Sequence, residues 1–148
     1  MKSKVLPPTY FTVILVLLVG VHFLFPIARA VSTPYNYIGL VLAAFGIIIT
    51  VWADHLFKQK KTTVKPHEIP TALVTSGPFS ISRHPMYLGM AAILFGSAVL
   101  LGSVAALAFP FTFIIFMELK FIPHEERNMS EKFGSEYEKY KKRVRRWI

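Results

Sequence analysis

The sequence predicts an all-α integral membrane protein with four transmembrane helices, at about residues 9–28, 35–57, 85–101 and 103–122, followed by a C-terminal cytoplasmic amphipathic helix. Three observations carry that prediction. The 148 residues are 53% hydrophobic, with a mean hydropathy of +0.48, whereas an ordinary soluble domain is about 45–50% apolar even with glycine counted. Uncharged runs recur at roughly the 17–25 residues that a crossing helix requires. The Lys and Arg residues gather in three segments that four crossings place on one side, which the positive-inside rule makes cytoplasmic.

The first span rests on Thr9–Phe25, apolar except for His22 and bounded by Pro26 and Arg29. Lys2 and Lys4 precede it, but no small-residue cleavage site follows, so a retained span is expected. Pro34 opens the second segment. Tyr35 and Tyr37 suit the interface, and Ile38–Ala53 carries no charge before Asp54, His55 and Lys58. Gly39 and Gly46 lie seven residues apart on one helical face, where they would admit another helix closely.

Residues 58–82 form a polar connector of a length that is usually functional or disordered. The following 37 residues, 86–122, are almost uncharged. One crossing needs only about 20, so the run is divided at Leu101-Gly102-Ser103 into a hairpin. The last 26 residues are charged. Met129, Phe133, Tyr137, Tyr140, Val144 and Trp147 recur at helical spacing, predicting an amphipathic helix at the membrane surface, with an interruption at Gly134.

The length fits one domain, residues 1–148. The 17 Lys and Arg against 8 Asp and Glu give a formal charge of +9. These cations sit at the ends of apolar runs, which favours the bilayer and its anionic headgroups as partners over nucleic acid; the Lys141–Arg146 cluster reads as a headgroup-binding face. The absence of cysteine excludes disulfides, thiolate metal sites and a cysteine nucleophile. No metal is expected, because the adjacent His124, Glu125 and Glu126 diverge around a helix.

The densest chemistry lies in Gly77–Gly89. Pro85 suits the first turn of a helix, which leaves Arg83 and His84 beside a helix N-terminus. Its free N–H groups and dipole favour a carboxylate or phosphate. Gly89, one turn in, would let a bound molecule lie against the backbone. On the same side of the membrane stand Glu118, Glu125 and Glu126, with Glu118 and Glu125 sharing a face if the helix persists past Pro123. An anion site facing carboxylates fits a zwitterion.

Gly77-Pro78-Phe79, then Arg83-His84-Pro85-Met86-Tyr87-Leu88-Gly89, a hairpin, Glu125-Glu126 and Phe133-Gly134-x-x-Tyr137-x-x-Tyr140 together resemble the isoprenylcysteine carboxyl methyltransferase family and the related phospholipid methyltransferases, over residues 71–146. The resemblance implies a short prokaryotic-type member in a bacterial or archaeal cell membrane. It implies S-adenosylmethionine as cofactor, S-adenosylhomocysteine as product and a lipophilic or membrane-delivered acceptor. It places Gly77, His84, Pro85, Tyr87, Leu88, Gly89, Glu125, Glu126 and Tyr137 at the cofactor, with Glu118, Glu125 and Arg83 as candidate catalytic or acceptor-positioning groups. Tyr137 and Tyr140 also suit interface packing.

The tail departs from the family pattern in lacking a proline after Ile148, and Met129 stands where leucine is usual. The additional spans of eukaryotic members are not present, so the acceptor does not carry over. A carboxylate or thiolate acceptor needs no base; an ammonium acceptor would need Glu118, Glu125 or His84. Competing readings are a phospholipid N-methyltransferase, a four-span transporter or membrane subunit, and a sterol-type reductase. Transport is disfavoured because the first two spans hold no carboxylate before Asp54 and the halves show no repeat. A cofactor entrance from the cytoplasm and a sideways entrance from lipid are both expected.

Overall fold

The computed structural model describes residues 6–25, 28–62 and 70–148. It is all-α. Helix α1 spans Pro7–Leu24, α2 Ile38–Gln59, α3 Pro85–Leu101, α4 Ala108–Lys120 and α5 Ile122–Arg143, with single 3₁₀ turns at Tyr35–Tyr37, Gly77–Ser80 and Ala105–Leu107. Among the described residues, three helical stretches are long and apolar enough to cross a membrane, at residues 7–24, 35–59 and 105–143. The last is long because α4 continues into α5 with a bend at Phe121. Its apolar part precedes the charge-rich run that begins at His124. The fourth, α3, has the expected bounds but only 17 residues. The first predicted span extends to residue 28, whereas α1 ends at Leu24; residues 26 and 27, like the N-terminal lysines, lie outside the described residues.

Helix α3 occupies the centre. It begins with Pro85 in its first turn and stops at Gly102, whose φ of +66° is a left-handed conformation that favours glycine. The hairpin tip is tied to the first connecting loop, where the Ala30 amide donates to the Gly102 carbonyl at 2.8 Å and the Val104 amide to that of Ala28 at 3.2 Å. Leu94, Ala98, Phe113, Met117 and Ile122 form the fully buried interior, with Leu18 of α1. The outer faces of α1 and α2 expose Val16, Leu17, Phe23, Val41, Ile48 and Val51, as lipid-facing surfaces do.

Gly39 and Gly46 meet α3, as their spacing anticipates. A Cβ on Gly39 would strike the Gly96 carbonyl, and one on Gly46 the Gly89 carbonyl; Gly89 and Gly96 reciprocate against Thr50, Gly46, Ala43 and Gly39. The two backbones are in contact, and small residues alone permit that approach. Gly46→Val is therefore expected to cost about 1–3 kcal/mol, the range for overpacking, read as a lowered melting temperature in detergent. Gly20 has open space around it, so Gly20→Ala should leave the melting temperature unchanged or raise it.

The interruption predicted at Gly134 is present, with φ +48° and ψ −122° inside α5. The apolar face of α5 differs from expectation. Tyr137, Tyr140 and Val144 are buried against Leu73, Met129 and Phe133, and Trp147 packs on the main core. Periodicity announced a face that must be covered, and Leu73 of the chain's own connector packs against it.

Candidate active site

The connector reaches α3 through a tight turn. Gly77 has φ +61°, and a Cβ there would meet Leu56 and Trp52 of α2. Phe79 is then buried beside Ala53 and Val74, and its carbonyl accepts a 2.6 Å hydrogen bond from the Tyr140 hydroxyl. Residues 82–84 run extended beside the tail. The Arg83 amide donates to the Arg145 carbonyl at 2.9 Å, the His84 amide to that of Arg146 at 3.3 Å, and the Ser82 hydroxyl to that of Arg146 at 2.8 Å. This short parallel bridge fixes the entrance to α3 against the end of α5.

A cavity of about 170 Å³ opens there. Arg83, His84, Tyr87, Glu125, Asn128, Tyr137 and Tyr140 form its polar side. Leu6, Pro7 and Pro8 at the start of α1, Phe57 at the end of α2, and Met86 and Met90 of α3 form its apolar side.

Glu125 faces this cavity. The Tyr87 hydroxyl donates to its Oε1, and His84 Nδ1 lies 3.3 Å from its Oε2. The His84 ring stacks on Tyr87, with centroids 5.8 Å apart and planes 5° apart. Burial resists charge on His84, but the neighbouring Glu125 and Glu126 carboxylates outweigh it and raise its pKa above the ordinary 6.5.

Glu126 lies behind. Its side chain is only 9% exposed and receives Arg83 Nη2 at 2.7 Å and Arg146 Nη2 at 2.7 Å. Arg146 Nε adds 3.1 Å contacts to both oxygens. Burial works to raise the Glu126 pKa, yet His84, Arg146 and Arg83 prevail and hold it near 2. Among the described residues, the buried Arg83 Nε and His84 Nε2 make no hydrogen bond.

The cavity wall thus brings together Arg83, His84, Pro85, Tyr87, Glu125 and Tyr137 from the sequence-derived set. Gly77, Leu88, Gly89, Glu118 and Glu126 are not on the wall. The open sides of Gly77 and Gly89 are filled by α2, so packing explains both glycines. The helix does persist past Pro123, but Glu118 and Glu125 take separate partners. Glu118 accepts from Arg146 Nη1 and from the Trp147 indole at 3.0 Å.

Sequence reasoning passed over Arg146, Trp147 and the apolar wall. Arg146 sits in a basic run that reads as a headgroup-binding face; the helical spacing of Trp147 was the one signal that this end of the chain packs inward.

The α3–α4 hairpin with its entrance closed by α5 is a fold seen in a solved intramembrane protein. The chain superposes on the structure of the eukaryotic intramembrane Ras methyltransferase ICMT (isoprenylcysteine carboxyl methyltransferase) with a TM-score of 0.70 at 21% identity, over 95% of this chain and 51% of that one. The phospholipid methyltransferase family profile matches residues 35–136, and the chain belongs to that family. Similar proteins include the probable protein-S-isoprenylcysteine O-methyltransferases of Oryza sativa subsp. indica and subsp. japonica. Each is 32% identical over 115 residues, covering 74% of this chain and 58% of the relative. An uncharacterized protein of Haemophilus influenzae, a short bacterial relative, is 38% identical over 63 residues, covering 43% of this chain and all of that protein. The chain spans less than two thirds of the length of the rice relatives. Family and apolar helices together define a multi-pass membrane protein.

Proposed function

We propose that this protein is an integral membrane methyltransferase that binds S-adenosylmethionine in the cavity between α3 and α5 and methylates a lipophilic or membrane-delivered acceptor. One observation carries the reading: two motif halves about forty residues apart, Arg83–Tyr87 and Glu125, meet on one cavity wall. In this reading residues 1–148 act as one domain, and α1, α2, α3 and the α4 segment all cross the bilayer. The shorter α3 is shielded by its neighbours. Both termini, the connector and the basic tail then face the cytoplasm, where the tail's exposed cations meet anionic headgroups.

The residues fit a zwitterionic cofactor. Arg83, His84 and the helix N-terminus at the start of α3 form a cationic end, with an imidazole nitrogen that makes no hydrogen bond among the described residues, and Glu125 supplies an anion. When bound, S-adenosylmethionine supplies a methyl group on a sulfonium, transferred in line to the acceptor. The chain's own work is to position. Arg83 and His84 hold the cofactor carboxylate, Glu125 holds its ammonium, and Tyr87 fixes Glu125. The apolar wall of Phe57, Met86 and Met90 excludes water and offers a lipophilic acceptor a sideways approach. An ammonium acceptor would give its proton to Glu125, since His84 is already protonated in its carboxylate-holding form and Glu118 is engaged by Arg146 and Trp147 away from the cavity.

Purified protein in detergent should bind S-adenosylhomocysteine saturably and transfer a radiolabelled methyl group to one member of a panel of prenylated thiols, phospholipids and small thiols. An amino-phospholipid product would select the N-methyltransferase form of the reading. No saturable binding would refute it. Affinity should also fall as pH rises through the raised His84 pKa, because the imidazolium that holds the carboxylate is present below that value and lost above it. Calorimetry across pH 6–9 checks this, and His84→Gln should flatten the dependence.

A further inference from the structure

Glu125 and Glu126 are adjacent and both lie near His84, yet they are held differently. His84 Nδ1 is 3.3 Å from Glu125, while its Nε2 is 3.6 Å from Glu126 Oε1 and makes no hydrogen bond among the described residues. What keeps Glu126 from closing on the imidazole is Arg146, whose Nε and Nη2 reach both of its oxygens while Arg83 takes Oε1 from the other side. Arg146 is itself fixed. Its carbonyl accepts from the Ser82 hydroxyl and the His84 amide, its Nη1 reaches Glu118, and the Trp147 indole holds the other Glu118 oxygen.

We infer that Arg146, docked through the tail along residues 82–84, is a positioning residue that occupies Glu126 and so leaves His84 and Glu125 as the pair facing the cavity. The inference rests on that cavity being the cofactor site. Without Arg146, Glu126 keeps only Arg83 and turns its spare oxygen to His84 Nε2. Both imidazole N–H groups are then consumed by protein carboxylates, and the donor left for an incoming anion disappears. Among the described residues, the titratable or charged groups around His84 are Arg83 and Tyr87 beside it, and Glu125, Glu126 and Tyr137 on α5; Arg146 stands behind Glu126.

The test uses the full chain in detergent. NMR titration of the His84 ring without ligand, assigned with His84→Gln, should show its midpoint shifted upward in Arg146→Ala, because a cation is removed and a carboxylate released toward the ring. S-adenosylhomocysteine affinity should fall about tenfold, the equivalent of about 1.4 kcal/mol. Arg146→Lys keeps the charge without the planar fork and should fall between wild type and Arg146→Ala on both measures; it also serves if the alanine variant does not fold. A merely structural role would lower the melting temperature of these variants and move the His84 midpoint no further than the same substitution does in the Glu126→Gln background, where only the cation is lost. Unchanged midpoints in the folded variants would overturn the inference. If wild-type protein binds no S-adenosylhomocysteine, the functional reading fails instead, and the ligand-free titration still decides the role of Arg146.

Discussion

Glu126→Ala is expected to destabilise the folded protein by about 3–5 kcal/mol, the range for removing one member of a buried ion pair, seen as a lower melting temperature in detergent. The cost follows from what remains. Arg83, with a side chain only 9% exposed, loses its one carboxylate partner among the described residues, where its Nε already lacks an acceptor. Arg146 is better placed, being 39% exposed and still able to reach Glu118. The same carboxylate predicts a pH response. Its pKa is lowered from the ordinary 4.5 to about 2, so its stabilisation is fully present above about pH 4.5 and is lost as pH falls through about 2. Glu126→Gln should remove this part of the acid dependence. A Glu126→Ala melting curve that overlays the wild type would refute the assignment of Glu126 as the buried anchor.

Glu125→Ala should act on binding and not on folding. Its loss removes the carboxylate that faces the cavity and the acceptor of the Tyr87 hydroxyl, but the Arg83, Glu126, Arg146 and Glu118 cluster remains intact. A hydrogen bond to a charged group contributes about 1.5–3 kcal/mol, so S-adenosylhomocysteine affinity should fall by roughly one to two orders of magnitude. The melting temperature of unliganded protein should stay close to wild type. Glu125→Gln tests charge against shape, and it should bind nearly as weakly if the ammonium of the ligand is what Glu125 recognises. Full affinity in both variants would remove Glu125 from the site.

The two neighbouring glutamates thus have separate duties, and that separation is invisible in the sequence. Both stand after the hairpin, one residue apart, and helical geometry alone sends them to different neighbours about 100° apart. Which neighbour each finds depends on where the tail lies. The bridge between Ser82 and Arg145 has no hydrophobic period or turn signal to announce it, and Arg146 reads as one more cation in a basic run. Glycines were ambiguous for a related reason. Gly39 and Gly46 were legible as a helix contact because two small residues repeat on one face, whereas Gly89 read as room for a ligand and Gly77 was placed at the cofactor by resemblance. The structure fills both with α2.

The sequence by itself determined the all-α class, the bounds of α3, the division of the long apolar run at Gly102, the break at Gly134 and the two motif halves of the candidate site. Each of these is local chemistry: a proline that starts a helix, a glycine that ends one, an apolar run too long for a single crossing. Tertiary structure alone decided that α3 is the shielded centre, that Leu73 of the connector packs against the face of α5, and that Arg146 claims Glu126. Those outcomes depend on which buried charges and surfaces find partners, because an ion held in a low-dielectric interior must be paired, and pairing is settled by proximity in space and not by order along the chain.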